Sequence, residues 1–214
     1  MKPNAALGLA SILPACLFLV SGVLAQDFHG CPTEGKGGDP VLNRLKNRTE
    51  IPGMFEEVQF EDLTGLDVPQ GVSKKHRDQW PQSTLEALAP QEQRSVQVVG
   101  YLLKVKLEGR ESSNCGSDEQ AERDFHMWLA NSPDDDRSEA VVVEITPRIR
   151  AQHPSWSLKN LNRFVKQRSR VRISGWLMLD PEHPDQVGKT RSTLWEIHPI
   201  LKVEVWSGGR WRAL

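Results

Sequence analysis

The sequence predicts a mostly β protein: a five-stranded Greek-key barrel with one helix between strands 3 and 4, preceded by an irregular amino-terminal arm. Three observations predict it. From Ser95 onward, apolar and polar residues alternate with the two-residue period of strands, in runs separated by turn residues. After Pro154 the period lengthens once to that of a helix. Before Ser95, by contrast, Gly35, Gly37, Gly38, Pro40, Pro52, Gly53, Gly65, Pro69, Gly71, Pro81 and Pro90 leave no room for a long periodic element.

The chain opens with Lys2, an apolar stretch from Ala5 to Ala25, and then the polar pair Gln26-Asp27. This is the pattern of a secretory signal peptide, residues 1–25, with the small residues Val23 and Ala25 set for cleavage after Ala25. A lipoprotein cut before Cys16 ranks lower, because Pro14 fits such a site poorly and the apolar run continues past Cys16. A retained anchor ranks lower too, since Ser, Gly and Pro dilute the stretch. The expected protein is therefore exported, periplasmic or secreted, with no membrane span after cleavage.

Residues 26–94 form the arm. Val41 to Lys46 has room for a turn of helix, and Ser83 to Leu88 for another, with Ser83 as cap and Glu86 three residues on. Asn47-Arg48-Thr49 matches the glycosylation acceptor pattern, a short match that occurs by chance. After signal cleavage Cys31 and Cys115 are the remaining cysteines, and an even pair in an oxidising compartment is expected to form a disulfide tying the arm to the barrel.

Residues 95–214 form the barrel. Val96 to Leu107 is the first strand, with Tyr101, Leu103, Val105 and Leu107 on one face and Lys104 and Lys106 on the other. In the second, Phe125, Met127 and Leu129 alternate with Asp124, His126 and Trp128. The third is the valine-rich run Ala140 to Thr146, stopped by Pro147. Ser155 then caps a helix with an apolar stripe of Trp156, Leu158, Leu161, Phe164 and Val165. The fourth strand turns Val171, Ile173, Leu177 and Leu179 inward and Arg170, Arg172 and Trp176 outward; the fifth, Thr193 to about Trp206, turns Glu196, His198, Lys202 and Glu204 outward.

Three strands, a helix and two strands is the order of the OB (oligonucleotide/oligosaccharide-binding) fold, which residues 95–214 resemble. Gly100 and Gly175 fall inside strands where a small barrel bends sharply. Gly38-Asp39-Pro40-Val41-Leu42-Asn43 with Leu45-Lys46-Asn47-Arg48, and Trp195-Glu196-Ile197-His198-Pro199, resemble segments of exported bacterial proteins of unassigned function. That resemblance implies a bacterial source and no mechanism.

Two candidate sites follow. Asp124-x-His126 and Glu196-x-His198 each put a carboxylate and an imidazole on one strand face, and in this strand order Glu144 lies between them. The histidine backbones should then lie roughly 10 Å apart, so that His126, Glu144 and His198 can hold a divalent metal such as zinc. The second candidate is the basic run from Arg148 to Arg172, which holds no acidic residue although the whole chain carries a net charge of −1. Arg163, Lys166, Arg170 and Arg172 beside outward Trp128 and Trp176 would suit a single-strand binder. No Gly-rich phosphate loop, Gly-x-Ser-x-Gly elbow, paired CxxC or HExxH is present. The expectation is an exported binding module that needs no cofactor. Its partner would be an anionic polymer, a saccharide, a single-stranded nucleic acid or an envelope protein. The alternative is a metal-dependent hydrolase or nuclease using Asp124, His126, Glu144, Glu196 and His198.

Overall fold

The structure is a computed structural model that describes residues 28–214. The expected signal peptide lies outside them. Among the described residues, no helix is long and apolar enough to cross a membrane.

The barrel strands are β2 (Ser95–Leu107), β3 (Phe125–Ala130), β4 (Val141–Ile145), β5 (Arg170–Leu179) and β6 (Trp195–Ser207). They run in the order β2-β3-β4-β6-β5, and β5 pairs back with β2 to close the barrel. Only β4 and β6 are parallel within this ring, so they alone need a long crossover. The crossover contains the helices α4 (Pro147–Arg150) and α5 (Leu158–Lys166) together with β5. Two short strands extend the sheet: β1 (Glu56–Glu57) beside β2, and β7 (Arg210–Ala213) beside β6. The observed architecture is the predicted mostly β barrel.

The interior is filled by the inward residues of all five strands, among them Val96, Val98, Met127, Leu129, Val143, Ile173, Leu177, Ile197 and Val203, and it is plugged by Leu161 and Phe164 of α5. Alternation in β2 departs from the expected pattern. Val96, Val98, Leu102 and Val105 are the buried set, while Tyr101 and Leu103 face the other way. The reason is a register irregularity between Leu102 and Lys104 opposite β3, which reverses the facing of the strand's two halves. The helix starts two residues later than expected, because the hydroxyl of Ser157 rather than Ser155 accepts from the Asn160 N–H. Trp156 stays outside the helix, buried, with its indole N–H donating to the Leu214 carbonyl at 3.2 Å.

The arm carries α1 (Pro40–Lys46), α2 (Phe60–Thr64) and α3 (Gln82–Glu92). Asp39 caps α1 by accepting from the Val41 and Leu42 amides, and Pro40 sits at the first helical position. α3 runs past the expected end at Leu88 to Glu92, through Pro90, and Ser83 lies inside it rather than capping it. Trp80, Leu63 and Leu88 of the arm join the barrel core. So does a buried ion pair: Arg77 grips both carboxylate oxygens of Glu92, at 2.7 and 2.8 Å, and donates to the Leu179 carbonyl. Asn47 is not an open acceptor site, since its amide donates to the carbonyls of Thr33 and Ser113 inside the protein.

Two glycines mark where backbones meet. At Gly35, φ is +66° and an added Cβ would lie 2.1 Å from the Ser112 carbonyl oxygen; at Gly175, a Cβ would lie 2.3 Å from that of Pro199. Cys31 and Cys115 form the expected disulfide, with an S–S distance of 2.11 Å and a sequence separation of 84. A loop of that length removes about 4–5 kcal/mol of denatured-state entropy in the chain-entropy model. Replacing both cysteines by serine is expected to lower the urea midpoint accordingly. An unchanged midpoint would show that the arm is held by packing alone.

Candidate metal centre on the buried outer face

Residues of β3, β4 and β6 that alternate with the core point outward, where the default is solvent. Here they are covered. His126 of β3 pairs in register with Glu144 of β4, and Glu196 of β6 pairs with Val142 of β4. Asp124 precedes β3 on the His126 side, and His198 follows Glu196 by two. Asp124 and His198 are both 0% exposed. The cover comes from three segments: α1, the loop from Glu108 to Arg123 with its turn at Ser112–Asn114, and the β5–β6 connection.

The structure brings His126, Glu144 and His198 together, and adds neighbours that strand periodicity did not disclose. Glu144 stands between the two imidazoles, with Oε1 at 2.6 Å from His126 Nδ1 and Oε2 at 3.7 Å from His198 Nδ1. Glu108 Oε2 approaches His126 Nδ1 at 3.1 Å. His198 lies between Asp124, at 3.5 Å from its Nε2, and Glu196, at 3.4 Å from its Nδ1. Asn114 donates to the other Asp124 oxygen at 2.9 Å. Arg191, itself buried, lies 2.8 Å from Glu196 and 3.3 Å from Asp180. Lys46 reaches in from α1 to Glu111 and Glu182, at 3.1 and 3.3 Å.

Glu108, Glu111, Asp180, Arg191 and Lys46 all sit in loops or at the end of α1, where no alternation marks a side chain as inward. Lys46 alone left a trace, as part of the Leu45-Lys46-Asn47-Arg48 segment.

So many carboxylates in one place set the local proton affinities. Burial disfavours the imidazolium of His126, but the Glu144 charge and bonds to Glu108 and Glu144 outweigh it and raise its pKa to about 9. His198 is likewise opposed by burial and raised by Glu144, Asp124 and Glu196, to about 10. Burial lifts Glu111 to about 7, tempered by Lys46. Burial also raises Asp180, helped by the charge of Glu196. Glu196 and Glu108 go the other way: burial is overcome by Arg191 and His198 for the first, and by His126 and Lys106 for the second, which holds both well below the usual carboxylate range. Lys46 is held charged above its ordinary range, since Glu111, Asp180 and Glu182 overcome its burial.

Several buried atoms nonetheless make no hydrogen bond among the described residues: Asp124 Oδ2, Glu144 Oε2, His126 Nε2 and His198 Nε2. Glu108, His126 and Glu144 offer three ligand atoms within 4.8 Å of one another, and so do Asp124, Glu144 and His198. Imidazole and carboxylate donors at this density suit a divalent zinc or manganese ion. A cleft of about 770 Å³ opens onto this group. Its floor includes His126, Glu144 and Glu196, and its rim includes Lys74, Lys106 and Arg110.

The other predicted site does not assemble. Trp128 is 5% exposed, boxed between Lys104, Lys106 and Arg137, with its indole N–H donating to the Thr190 carbonyl. It faces outward from the barrel core, as expected, but under cover, and it lines the cleft. Trp176 is packed on the core under the Arg48 guanidinium and donates to the Glu50 carbonyl. The two indoles lie opposite Lys104 and Ser95, far apart along β2, and share no surface. Arg172 is paired with Glu204 and stacks with Arg170 around Trp211. Arg163 and Lys166 stand exposed on α5, and Arg170 lines a separate hollow of about 380 Å³ with Tyr101.

No protein-family model matches the chain, and no curated protein matches it. Among solved structures, aspartyl tRNA synthetase from Entamoeba histolytica aligns over 78% of this chain and 27% of its own, with 11% identity and a TM-score of 0.33. The chain thus spans about a quarter of that protein's length, and a likeness this slight bears on neither fold nor function.

In metal-free protein the site predicts how stability varies with pH. His126 and His198 keep protons that the unfolded chain gives up above about pH 6.5, so their contribution is full below that pH and is lost on rising through about 9 to 10. Glu111 adds to the loss on rising from about 4.5 to about 7. Glu108 and Glu196 work oppositely, contributing above about pH 4.5 and failing in acid. Urea midpoints in chelator should therefore peak near pH 5–6.5 and fall toward pH 10; a rise between pH 7 and 9 would contradict the charge balance described here.

A second expectation concerns Arg191. Arg191→Met leaves Asp180 and Glu196 buried without their cation, and should cost about 3–5 kcal/mol by denaturant unfolding.

Proposed function

We propose that this chain is an exported, metal-dependent hydrolase acting on anionic substrates, with its ion held on the outer face of β3, β4 and β6. The observation that carries this is the meeting of Glu108, His126 and Glu144 at an open cleft, with Asp124 and His198 enclosed behind Glu144 and unbonded buried atoms on Asp124, His126, Glu144 and His198. A protein gains nothing in stability by burying carboxylates side by side, so such a group is a functional candidate on physical grounds. Export rests on the signal-peptide reading and is consistent with the Cys31–Cys115 disulfide.

The roles divide by position. His126 and Glu144, which reach the cleft, hold the ion with His198 behind them; Glu196 orients the His198 ring and is itself fixed by Arg191. A divalent ion so held supplies Lewis-acid activation of water and of the scissile group. Glu111 lines the same cleft with a pKa near 7, which suits a group that passes a proton to or from substrate at neutral pH. Lys74 and Arg110 on the rim are engaged only in exposed pairs, with Asp185 and Asp118. Such pairs are weak, so these cations can transfer to a phosphate or carboxylate of the substrate. A single-strand binder would need open indoles at both Trp128 and Trp176, but Trp128 is buried and Trp176 is half-buried beneath Arg48.

The test couples binding with turnover. Purified protein should take up zinc or manganese and hydrolyse at least one of bis(p-nitrophenyl) phosphate, p-nitrophenyl phosphate and p-nitrophenyl acetate. His126→Ala and Glu144→Gln should keep the fold by circular dichroism, lose metal, and lose at least about 100-fold in rate. Failure of folded wild-type protein to retain any divalent ion at micromolar concentration would overturn the proposal.

A further inference from the structure

The donor atoms do not form one group. Two sets share Glu144, and they differ in access. Glu108, His126 and Glu144 all line the cleft, whereas Asp124 and His198 line no part of it and are 0% exposed. Glu144 turns one oxygen to each set: Oε1 lies 2.6 Å from His126 Nδ1, and Oε2 lies 3.7 Å from His198 Nδ1, with Asp124 at the other ring nitrogen; one ligand atom from each of Asp124, Glu144 and His198 lies within 4.8 Å of the others. In the inner set, Asp124 Oδ2 and His198 Nε2 face each other at 3.5 Å, and neither makes a hydrogen bond, although their side chains have no contact with water. Two donors bound to one ion at about 2.0–2.2 Å in tetrahedral geometry are themselves about 3.4 Å apart, so this spacing already fits. In the outer set, the approaches to His126 Nδ1 at 2.6 and 3.1 Å would widen to that spacing around an ion, by about 0.8 and about 0.3 Å.

The charge balance points the same way. Glu108, Glu111, Asp124, Glu144, Asp180, Glu182 and Glu196 converge here, against Lys46, Lys106 and Arg191 as fixed cations. With the ligating imidazoles neutral and these carboxylates ionised, one divalent ion would still leave the group net negative.

We infer that the site holds two divalent ions bridged by Glu144: an outer, exchangeable one on Glu108 and His126, and an inner, enclosed one on Asp124 and His198. The inference rests on the metal reading above and goes beyond it in number and in function. The outer ion meets substrate in the cleft. The inner ion sits beneath the cover, where Asn114, in the loop from Glu108 to Arg123, holds Asp124 at 2.9 Å and Arg48 of the arm donates to the carbonyls of Leu177 and His198, at 3.1 and 3.5 Å. Releasing it requires that cover to open locally, which is slow compared with exchange from an open cleft.

The experiment uses the full disulfide-bonded protein, stripped by chelator under mild denaturant, refolded, and titrated with zinc. Elemental analysis should find two equivalents per chain, and release to a colorimetric chelator should be biphasic, with the second equivalent at least about tenfold slower. Glu108→Gln should remove the fast equivalent and keep the slow one, while Asp124→Asn should do the reverse. A single equivalent lost by both variants would overturn the two-ion inference and leave the hydrolase reading standing; no zinc bound at all would overturn both. Should Asp124→Asn fail to fold, the stoichiometry and release phases of the wild type decide alone.

Discussion

Carboxylates buried together repel one another and lose hydration, and nothing else in this protein imposes so strict a demand on its surroundings. The outer face of β3, β4 and β6 holds Asp124, Glu144 and Glu196 with both histidines, and every covering segment brings something that offsets their charge. Arg191 comes from the β5–β6 connection, Lys46 from α1, and Asn114 from the turn beside Cys115. The cover is therefore a structural requirement of the site. Left open to water, the same residues would be an ordinary polar strand face.

The same demand links two segments far apart in sequence, residues 38–48 and 195–199. Trp195 is buried in the core while Glu196 and His198, on the alternate face, enter the charged group. Asp39 caps α1 and also accepts from the Arg77 amide at 2.7 Å, which ties the start of that helix to the Arg77–Glu92 pair. Asn43 and Asn47 fasten the glycine-rich turn and the Ser113 region by side-chain amides. With both ends fixed, Lys46 can reach Glu111, and Arg48 can close over the carbonyls of Leu177 and His198. The two segments are one apparatus, half in the sheet and half in its cover.

The barrel and the central trio were legible because strands encode facing directly. A two-residue period placed His126, Glu144 and His198 on one side, and the strand order placed β4 between the other two; pairing did the rest. What defeated the pattern was local. The irregularity in β2 reversed Tyr101 and Leu103, and the hydroxyl of Ser157 claimed a cap expected at Ser155. More was hidden by tertiary cover. An alternating strand says which side a tryptophan takes and nothing about what lies over it, so Trp128 and Trp176 read as open platforms, whereas Trp128 is buried and Trp176 is half-buried beneath Arg48. Glu108, Glu111, Asp180 and Arg191 were silent for a related reason: loop residues have no period, and only the closed chain shows where they point.

That asymmetry has a consequence for how the site and the fold are coupled. The core formed by Val96, Met127, Val143, Ile173 and Ile197 is apolar and owes nothing to ions. The cover, by contrast, adds charges, amides and one disulfide to the apolar contacts of Leu63, Trp80 and Leu88, so part of its stability follows the charge state of what lies beneath. Any cation that binds only the closed form adds RT ln(1 + [L]/Kd) to that closure, about 4 kcal/mol at a thousandfold excess over Kd. Protons on His126 and His198 can meet part of the same demand, so protons and metal ions compete to neutralise one group of carboxylates. On the two-ion proposal, opening of the cover and occupancy of the inner position would be linked: an ion held inside would favour closure, and opening would favour its release.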